Sequence, residues 1–155
     1  MFSYKNGRIE AVVFVFYKDG KFLIENRPGN PDHSGPNVYF FPSGKIDKKD
    51  HDFDEDYRIV ALKREVSEEL DHAISFTDYH YLGELEAEPI NIHFYVYLIT
   101  DFQGSMPAYA LEEGEKFATL SWIDPADREK YFIHDTAFQI CEWIDDFLTN
   151  QPANK

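Results

Sequence analysis

The sequence lacks the cysteines and the long apolar segments that are typical of secreted and membrane-spanning proteins. Cys141 is the single cysteine among 155 residues, so the chain forms no internal disulfide, as is usual in a reducing compartment. The longest apolar run, AVVFVFY at 11–17, is far shorter than the roughly 20 residues that a bilayer-spanning helix needs. The first ten residues, MFSYKNGRIE, are also unlike a secretory signal peptide. These absences predict a soluble cytoplasmic protein that does not associate with membranes.

Basic residues are scarce as well. The chain has 15 Lys and Arg against 29 Asp and Glu, which gives a formal net charge of −14. Because this charge repels a phosphate backbone, we do not expect binding to nucleic acid polymers, and a small phosphorylated ligand needs a cation to bridge it to the carboxylates. The 43% of hydrophobic residues suffices for the core of a single domain over residues 1–150, followed by a disordered tail at 151–155.

Periodicity and turn residues predict an α/β fold with a mixed sheet and two main helices. The expected strands lie at 9–17, 22–26, 38–41, 79–88, 90–98 and 118–123, and the expected helices at 56–71 and 135–148. Segments rich in Gly, Pro or charge are expected to be turns or loops, at 27–37, 42–45, 48–56 and 104–116. The first helix has one apolar stripe toward the core, formed by Ile59, Leu62, Val66 and Leu70.

Three carboxylates share a narrow face of the first helix. At 100° per residue, Glu68 and Glu69 lie roughly 60° and 40° to either side of Glu65. Like charges at this spacing destabilise a helix by about 0.2–0.5 kcal/mol per pair. A hard divalent cation such as Mg²⁺ or Mn²⁺, which prefers oxygen ligands, is the simplest explanation of the cluster. The alternative is a solvated acidic surface, which is common on exposed helices.

The residues around this face resemble the signature of the Nudix hydrolase family. That signature is Gly, five residues, Glu, seven residues, then Arg-Glu-apolar-x-Glu-Glu-x-Gly-apolar. Gly44, within FFPSGKID, resembles its opening, and REVSEE at 64–69 matches its second half position by position. The order of the predicted strands and helices is also similar to that of the family, so the resemblance covers most of the chain.

The sequence departs from the signature at three points. From Gly44 to Arg64 there are six residues more than the signature has. Its first glutamate, eight residues before the arginine, is replaced by Asp56, which could instead cap the helix. Its closing glycine and apolar residue are replaced by Asp71 and His72, and Asp tolerates a left-handed backbone better than most other residues. None of these changes removes a metal ligand.

The resemblance implies an α/β/α sandwich around a mixed sheet and a site for Mg²⁺ or Mn²⁺. Its metal ligands would be Glu65, Glu68, Glu69 and the carbonyl of Ser43. Arg64 would point away from the metals and hold the loop through Asp56. The general base would be Glu65 or an acidic residue of the later loop LEEGE, which contains the three candidates Glu112, Glu113 and Glu115, and we include Glu113 with Glu65 and Arg64 among the catalytic residues.

Four residues are candidates for contact with substrate. Arg27 and Lys45 would bind phosphate, Tyr95 on the long strand would meet a base or sugar, and Asp135 before the last helix would accept hydrogen bonds from a purine. For each of them a structural role is the alternative: surface charge for Arg27 and Lys45, core packing for Tyr95 and helix capping for Asp135. His33 lies in the loop that would cover the ligand, although an ordinary exposed histidine is the simpler interpretation.

The implied function is metal-dependent hydrolysis of a diphosphate linkage in a nucleoside diphosphate joined to another group. ADP-ribose, 8-oxo-dGTP and other nucleoside triphosphates all fit this description. One alternative is a catalytically silent domain that senses nucleotides. Another is an enzyme similar to isopentenyl diphosphate isomerase, which uses a cysteine in its active site, whereas Cys141 lies on the predicted final helix. Many members of the family dimerise, so a homodimer is compatible with the resemblance.

Overall fold

The computed structural model describes residues 1–27 and 38–150. His33 and the tail predicted at 151–155 lie outside these ranges. The strands are β1 (Tyr4–Lys5), β2 (Arg8–Lys18), β3 (Lys21–Arg27), β4 (Val38–Phe40), β5 (Ser43–Lys45), β6 (His80–Ala87), β7 (Ile92–Ile99), β8 (Tyr109–Glu112) and β9 (Glu115–Ile123). The α-helices are α1 (Tyr57–Glu69), α2 (Arg128–Tyr131) and α3 (Asp135–Thr149), and 3₁₀ turns occupy Lys48–Asp52, Glu88–Ile90 and Pro125–Asp127.

Strand β2 is the central strand of a mixed sheet. Its apolar run, which is buried on both sides, pairs in parallel with β7 from Ile9 opposite Ile92 to Phe16 opposite Ile99. A continuous apolar run is typical of strands that have both faces covered. The main path of the sheet is β6-β7-β2-β3-β9-β8, while β1 and β5 pair with β2 and β4 pairs with β3. The predicted mixed sheet is therefore confirmed.

The two faces of the sheet carry two separate cores, because successive side chains on a strand point to opposite sides. Val12, Phe14 and Phe16 of β2 pack with the apolar stripe of α1. Their neighbours Val13 and Val15 pack in the second cluster, which contains the buried residues of α3. Layers of helix, sheet and helix result, and the expected α/β/α sandwich is confirmed. Over the described residues, no helix combines the length and the apolar character needed to cross a membrane.

Helix α1 begins and ends at residues whose backbone chemistry suits these positions. The Asp56 side chain accepts a hydrogen bond from the backbone N–H of Arg58, which caps the first turn. After Glu69 the chain leaves the helix, and Asp71 and His72 have φ angles of 52° and 60°. Aspartate thus takes the left-handed conformation expected where the signature has glycine.

Three segments that were expected to be turns or loops contain regular structure. Residues 43–45 form β5, which pairs with β2. The charged segment 48–56 begins with a 3₁₀ turn that Asp47 and Asp50 cap. The Asp47 side chain accepts a hydrogen bond from the backbone N–H of Lys49, and the Asp50 side chain accepts one from the backbone N–H of Asp47. The segment 104–116 contains β8, which pairs with β9. These elements are only three to five residues long, so hydrophobic periodicity cannot reveal them.

Candidate active site

Glu65 lies against the backbone of β5. Its carboxylate occupies the space beside Gly44, where a Cβ atom would collide with Oε2 and Cδ of Glu65. Glycine at this position therefore leaves the space that the Glu65 carboxylate occupies, and its backbone angle is not unusual. Burial raises the pKa of Glu65 to about 7, although the neighbouring Arg64 opposes the shift. A carboxyl group with this pKa can exchange a proton near neutral pH.

Arg64 binds one carboxylate that precedes it in the sequence and two that follow it. Its Nε and Nη2 donate to Oδ1 and Oδ2 of Asp50 at 3.0 and 2.8 Å, a bidentate pair with a buried aspartate. Its Nη1 donates to Oε1 of Glu65 at 2.9 Å and to Oε1 of Glu68 at 3.0 Å. Its guanidinium group thus binds two of the three glutamates that were expected to hold the metal.

Asp56 is not the acidic partner of Arg64, contrary to the expectation from the signature. It pairs with Arg58 and caps α1. Counting the signature's five residues forward from Gly44 leads to Asp50, which holds Arg64. The six extra residues therefore follow the first acidic residue, at 51–56, and all of them are exposed. Counting eight residues backward from Arg64 leads to Asp56 instead, because the insertion separates the two halves of the signature.

Glu69 is the most deeply buried glutamate of the helix, with 6% of its surface exposed. Its Oε1 has no hydrogen-bond partner among residues 1–27 and 38–150. Burial raises the pKa of Glu69 well above its ordinary range, and the charges of Glu25 and Glu65 raise it further. An unpartnered carboxylate oxygen in such an environment is a strong candidate to bind a cation.

Glu25 on β3 is a member of the site that sequence reasoning missed. It follows Leu23 by two residues and therefore points to the α1 face, where it is fully buried. Its Oε1 accepts hydrogen bonds from Nε of Arg27 at 2.6 Å, and Nη2 of Arg27 lies 2.5 Å from the same oxygen. Burial raises the pKa of Glu25 to about 7 against the effect of Arg27. The only signal in the sequence is an acidic residue inside the predicted strand 22–26.

The acidic hairpin between β8 and β9 approaches the site through its first glutamate. The charge of Glu112 contributes to the raised pKa values of both Glu25 and Glu69. Glu113, the residue that we expected to be catalytic, is exposed in the hairpin turn with φ 52°. Glu115 is also exposed, at the start of β9. All three glutamates are exposed, and Glu112 is the one whose charge acts on both Glu25 and Glu69.

The donor set fits a hard divalent cation, although its side chains do not converge on one point. Within the described ranges, no three His, Cys, Asp or Glu side chains are arranged to hold an ion. The guanidinium group of Arg64 binds one oxygen each of Glu65 and Glu68. Glu25 Oε2 and Glu69 Oε1 are buried without a partner in the described part of the chain. Oxygen ligands of this kind suit Mg²⁺ and Mn²⁺.

The expected substrate residues are spread over the molecule. Besides binding Glu25, Arg27 stacks its guanidinium over the ring of Phe117, 5.0 Å from the centroid. The ammonium of the exposed Lys45 lies 4.9 Å from the ring centroid of Phe2. Asp135 is exposed in the first turn of α3, on the face of the sheet opposite to α1. Of these three residues, only Arg27 therefore contacts one of the buried carboxylates, that of Glu25.

Tyr95 is buried in the core on the α1 face, with 1% of its surface exposed. Its hydroxyl donates to Oε2 of the buried Glu10 at 2.5 Å, and Tyr57 donates to the same oxygen. Burial, together with these hydrogen bonds, raises the pKa of Tyr95. This environment favours the alternative of core packing for Tyr95. Ser43, whose carbonyl we expected to bind metal, lies opposite Val13 in the pairing of β5 with β2.

Comparison with known proteins gives a family match over most of the chain. The model of the NUDIX domain matches residues 7–144. A CTP pyrophosphohydrolase of Escherichia coli strain K12 is 29% identical over 123 residues, which cover 79% of this chain and 81% of that protein.

Solved structures share the fold. The solution structure of the E. coli ORF135 protein has a TM-score of 0.66 at 26% identity, with 94% of both chains covered. A MutT protein from Aliivibrio salmonicida or Vibrio cholerae has a TM-score of 0.63 at 23% identity, with 87% of this chain and 94% of that chain covered. At the identity of the second structure, the likeness shows the fold alone.

Proposed function

Because the chain belongs to the Nudix family and is a Nudix pyrophosphohydrolase of nucleotide-linked substrates, we propose that it is a divalent-cation-dependent enzyme that splits nucleoside triphosphates. Its products would be a nucleoside monophosphate and pyrophosphate. Water would attack the α-phosphorus, and the bond to the bridging oxygen between the α- and β-phosphates would break.

The observation that carries this proposal is the unpartnered, buried Oε1 of Glu69 beside further carboxylates. Leaving a buried charged oxygen without a hydrogen bond destabilises a fold, typically by 1–3 kcal/mol or more. A bound cation would remove this penalty and would explain why Glu65, Glu68 and Glu69 lie together despite their repulsion. The signature implies the Ser43 carbonyl as a further ligand.

Each residue near the cluster would have a distinct role. Mg²⁺ or Mn²⁺, when bound, would neutralise phosphate oxygens and make an adjacent water more acidic. We assign Glu65 as the general base, since its pKa of about 7 lies near the pH at which a base of this kind is most effective. Arg64, held by Asp50, would orient Glu65 and Glu68. Arg27 would present its remaining N–H groups to a phosphate of the substrate.

CTP is the first substrate to test. The relative that is 29% identical over 81% of its length is a CTP pyrophosphohydrolase, and the match includes the region of the acidic cluster. ADP-ribose and 8-oxo-dGTP remain the comparison substrates, since both contain the same phosphoanhydride linkage. The charge of −14 supports a small nucleotide bridged by a cation over a nucleic acid polymer.

The test is turnover of a panel with Mg²⁺, with Mn²⁺ and with EDTA. The panel contains CTP, UTP, 8-oxo-dGTP, ADP-ribose, a diadenosine polyphosphate and a nucleotide sugar, and the products are separated by ion-exchange chromatography. We expect CMP and pyrophosphate from CTP, with the rate abolished by EDTA. Release of orthophosphate from CTP, or a rate indifferent to EDTA, would refute the proposal. Binding of nucleotides without turnover of any substrate would instead support a sensor.

The isomerase-like alternative is disfavoured by the position of the cysteine. Cys141 is fully buried on α3, in the core on the face opposite to α1. Burial raises the pKa of its thiol to about 11, so the thiol is protonated at neutral pH. Such a group is remote from the acidic cluster and is chemically inert.

A further inference from the structure

Glu25 has a free oxygen in the same buried region as Glu69. The Oε1 atom of Glu25 binds Arg27, but its Oε2 has no hydrogen-bond partner within residues 1–27 and 38–150. Glu25 has 0% and Glu69 has 6% of its surface exposed, and each has one unpartnered oxygen. Leu23, two residues before Glu25 on β3, packs in the same core as the apolar stripe of α1, so Glu25 lies on the face of the sheet that α1 covers, and the charge of Glu25 helps to raise the pKa of Glu69.

The ion pair with Arg27 does not by itself explain why Glu25 is buried. The Arg27 side chain is 41% exposed, and elsewhere an arginine pairs with an exposed acid, as the half-buried Arg128 does with Asp145. A surface pair of that kind needs no buried carboxylate. Removing Glu25 from water next to a second acid is unfavourable, and a single arginine satisfies only one of its two oxygens.

We propose that Glu25 is an additional carboxylate ligand of the divalent cation bound by Glu69. This inference rests on the proposed function and extends it, because the family signature lies at 44–72 and contains no residue of β3. The cation would satisfy Oε2 of Glu25 and Oε1 of Glu69 together. Arg27 holds Oε1 of Glu25 in place and fixes its orientation, as partners of metal ligands commonly do.

The experiment is Mn²⁺ binding, measured by electron paramagnetic resonance of free Mn²⁺ and by the shift of the unfolding temperature on adding Mn²⁺. Glu25→Gln keeps the size of the side chain and can still accept a hydrogen bond from Arg27. We expect the variant to bind Mn²⁺ at least about 10-fold more weakly than the wild type. Without metal it should unfold at the same or a higher temperature, since a buried repulsion is removed. Glu142→Gln, on the exposed side of α3, is the control with the same change in net charge.

The outcomes separate this inference from the proposed function. Wild-type Mn²⁺ affinity in Glu25→Gln, alongside metal-dependent turnover, would overturn the role of Glu25 and leave the proposed function intact. A wild type that neither binds Mn²⁺ nor needs it for turnover would overturn the proposed function. If Glu25→Gln does not fold, Glu25→Asp serves instead, because it keeps the charge but withdraws the carboxylate by one methylene. Unchanged Mn²⁺ affinity in Glu25→Asp would count against the proposal, and weaker affinity would support it.

Discussion

The guanidinium group of Arg64 forms a bidentate ion pair with Asp50, which lies fourteen residues earlier and is 3% exposed at its side chain. Asp50 also caps the 3₁₀ turn, because its Oδ2 accepts a hydrogen bond from the backbone N–H of Asp47. One aspartate thus connects the turn after β5 to helix α1. Since Arg64 in turn binds Glu65 and Glu68, Asp50 indirectly orients two carboxylates of the proposed active site.

Asp50→Ala should destabilise the protein by about 3–5 kcal/mol, because it leaves a partly buried arginine without its partner. Activity at a temperature where the variant is folded should also fall, since Arg64 no longer orients Glu65. Urea unfolding followed by circular dichroism measures the first effect, and CTP turnover measures the second.

Asp56→Ala is the matched comparison. Asp56 is exposed and caps α1, so its loss should cost only about 1 kcal/mol and leave kcat nearly unchanged. Equal effects of the two substitutions would contradict the assignment of Asp50 as the acid that holds Arg64.

Glu69→Gln should lower turnover by more than about 100-fold, which exceeds the 10–100-fold effect typical of residues that only support a metal ligand. The amide keeps the shape of the side chain and removes a buried negative charge, so the metal-free variant should be at least as stable as the wild type. Steady-state kinetics with Mg²⁺ and thermal unfolding in EDTA provide the two readouts. Turnover near the wild-type rate would exclude Glu69 from the site.

Gly44→Ala should lower the activity of the protein without lowering its stability. The added methyl group collides only with the flexible end of Glu65, which can swing aside at little cost in stability. Replacing glycine also reduces the entropy of the unfolded chain, which stabilises by about 0.4–1 kcal/mol where the backbone permits. We therefore expect near-normal unfolding in urea but a strong loss of kcat. A variant with normal kcat would show that Glu65 does not need its position beside Gly44.

The metal-free protein should become less stable as the pH rises from about 4.5 to about 7. Burial raises the pKa values of Glu65 and Glu25 from 4.5 to about 7, so the folded state keeps protons that the unfolded state releases in this range. For Glu65 alone the effect is of the order of 3 kcal/mol, at 1.36 kcal/mol per pKa unit. Glu10 and Asp56 have lowered pKa values, so their titration changes the stability only at a pH below this range.

Unfolding temperatures in EDTA across this pH range test that expectation. Glu65→Gln should flatten the dependence, whereas Glu142→Gln should leave it unchanged. Mg²⁺ should oppose the trend, because its ligands must lose their protons, so stabilisation by Mg²⁺ should be larger at pH 8 than at pH 5.5. A metal-free protein that gains stability toward pH 7 would show that these carboxyl groups are not buried as described.

The long elements and the glutamate helix can be predicted from sequence because their signals are local. The run on β2 and the stripe from Ile59 to Leu70 repeat with the period of their structures, and REVSEE brings three carboxylates to one face whatever surrounds it. The two-sided core also follows from alternation along β2 and β7. These features need no knowledge of which strands are neighbours.

The partners of Arg64 and Glu69 could not be predicted in this way. Asp50 and Asp56 are equally acidic in sequence: the spacing from Gly44 selects Asp50, the spacing from Arg64 selects Asp56, and the structure shows that Asp50 binds Arg64. Glu25 lies with the buried glutamates because α1 packs on the face of the sheet to which its side chain points. This is a tertiary relationship that the sequence of β3 alone does not reveal. Tyr95 was predicted to meet a base or sugar, but its position on the long strand cannot distinguish the core on the α1 face from an open surface.

The burial of Cys141 has a practical consequence for following this protein in solution. Maleimide dyes react with thiolates, and the native thiol is both protonated and inaccessible, so it needs no replacement before labelling. A cysteine introduced at exposed Asp54, in the segment that connects the 3₁₀ turn to α1, would accept a fluorophore selectively. Its emission would then report on movements of this connection while the rest of the chain remains chemically unmodified.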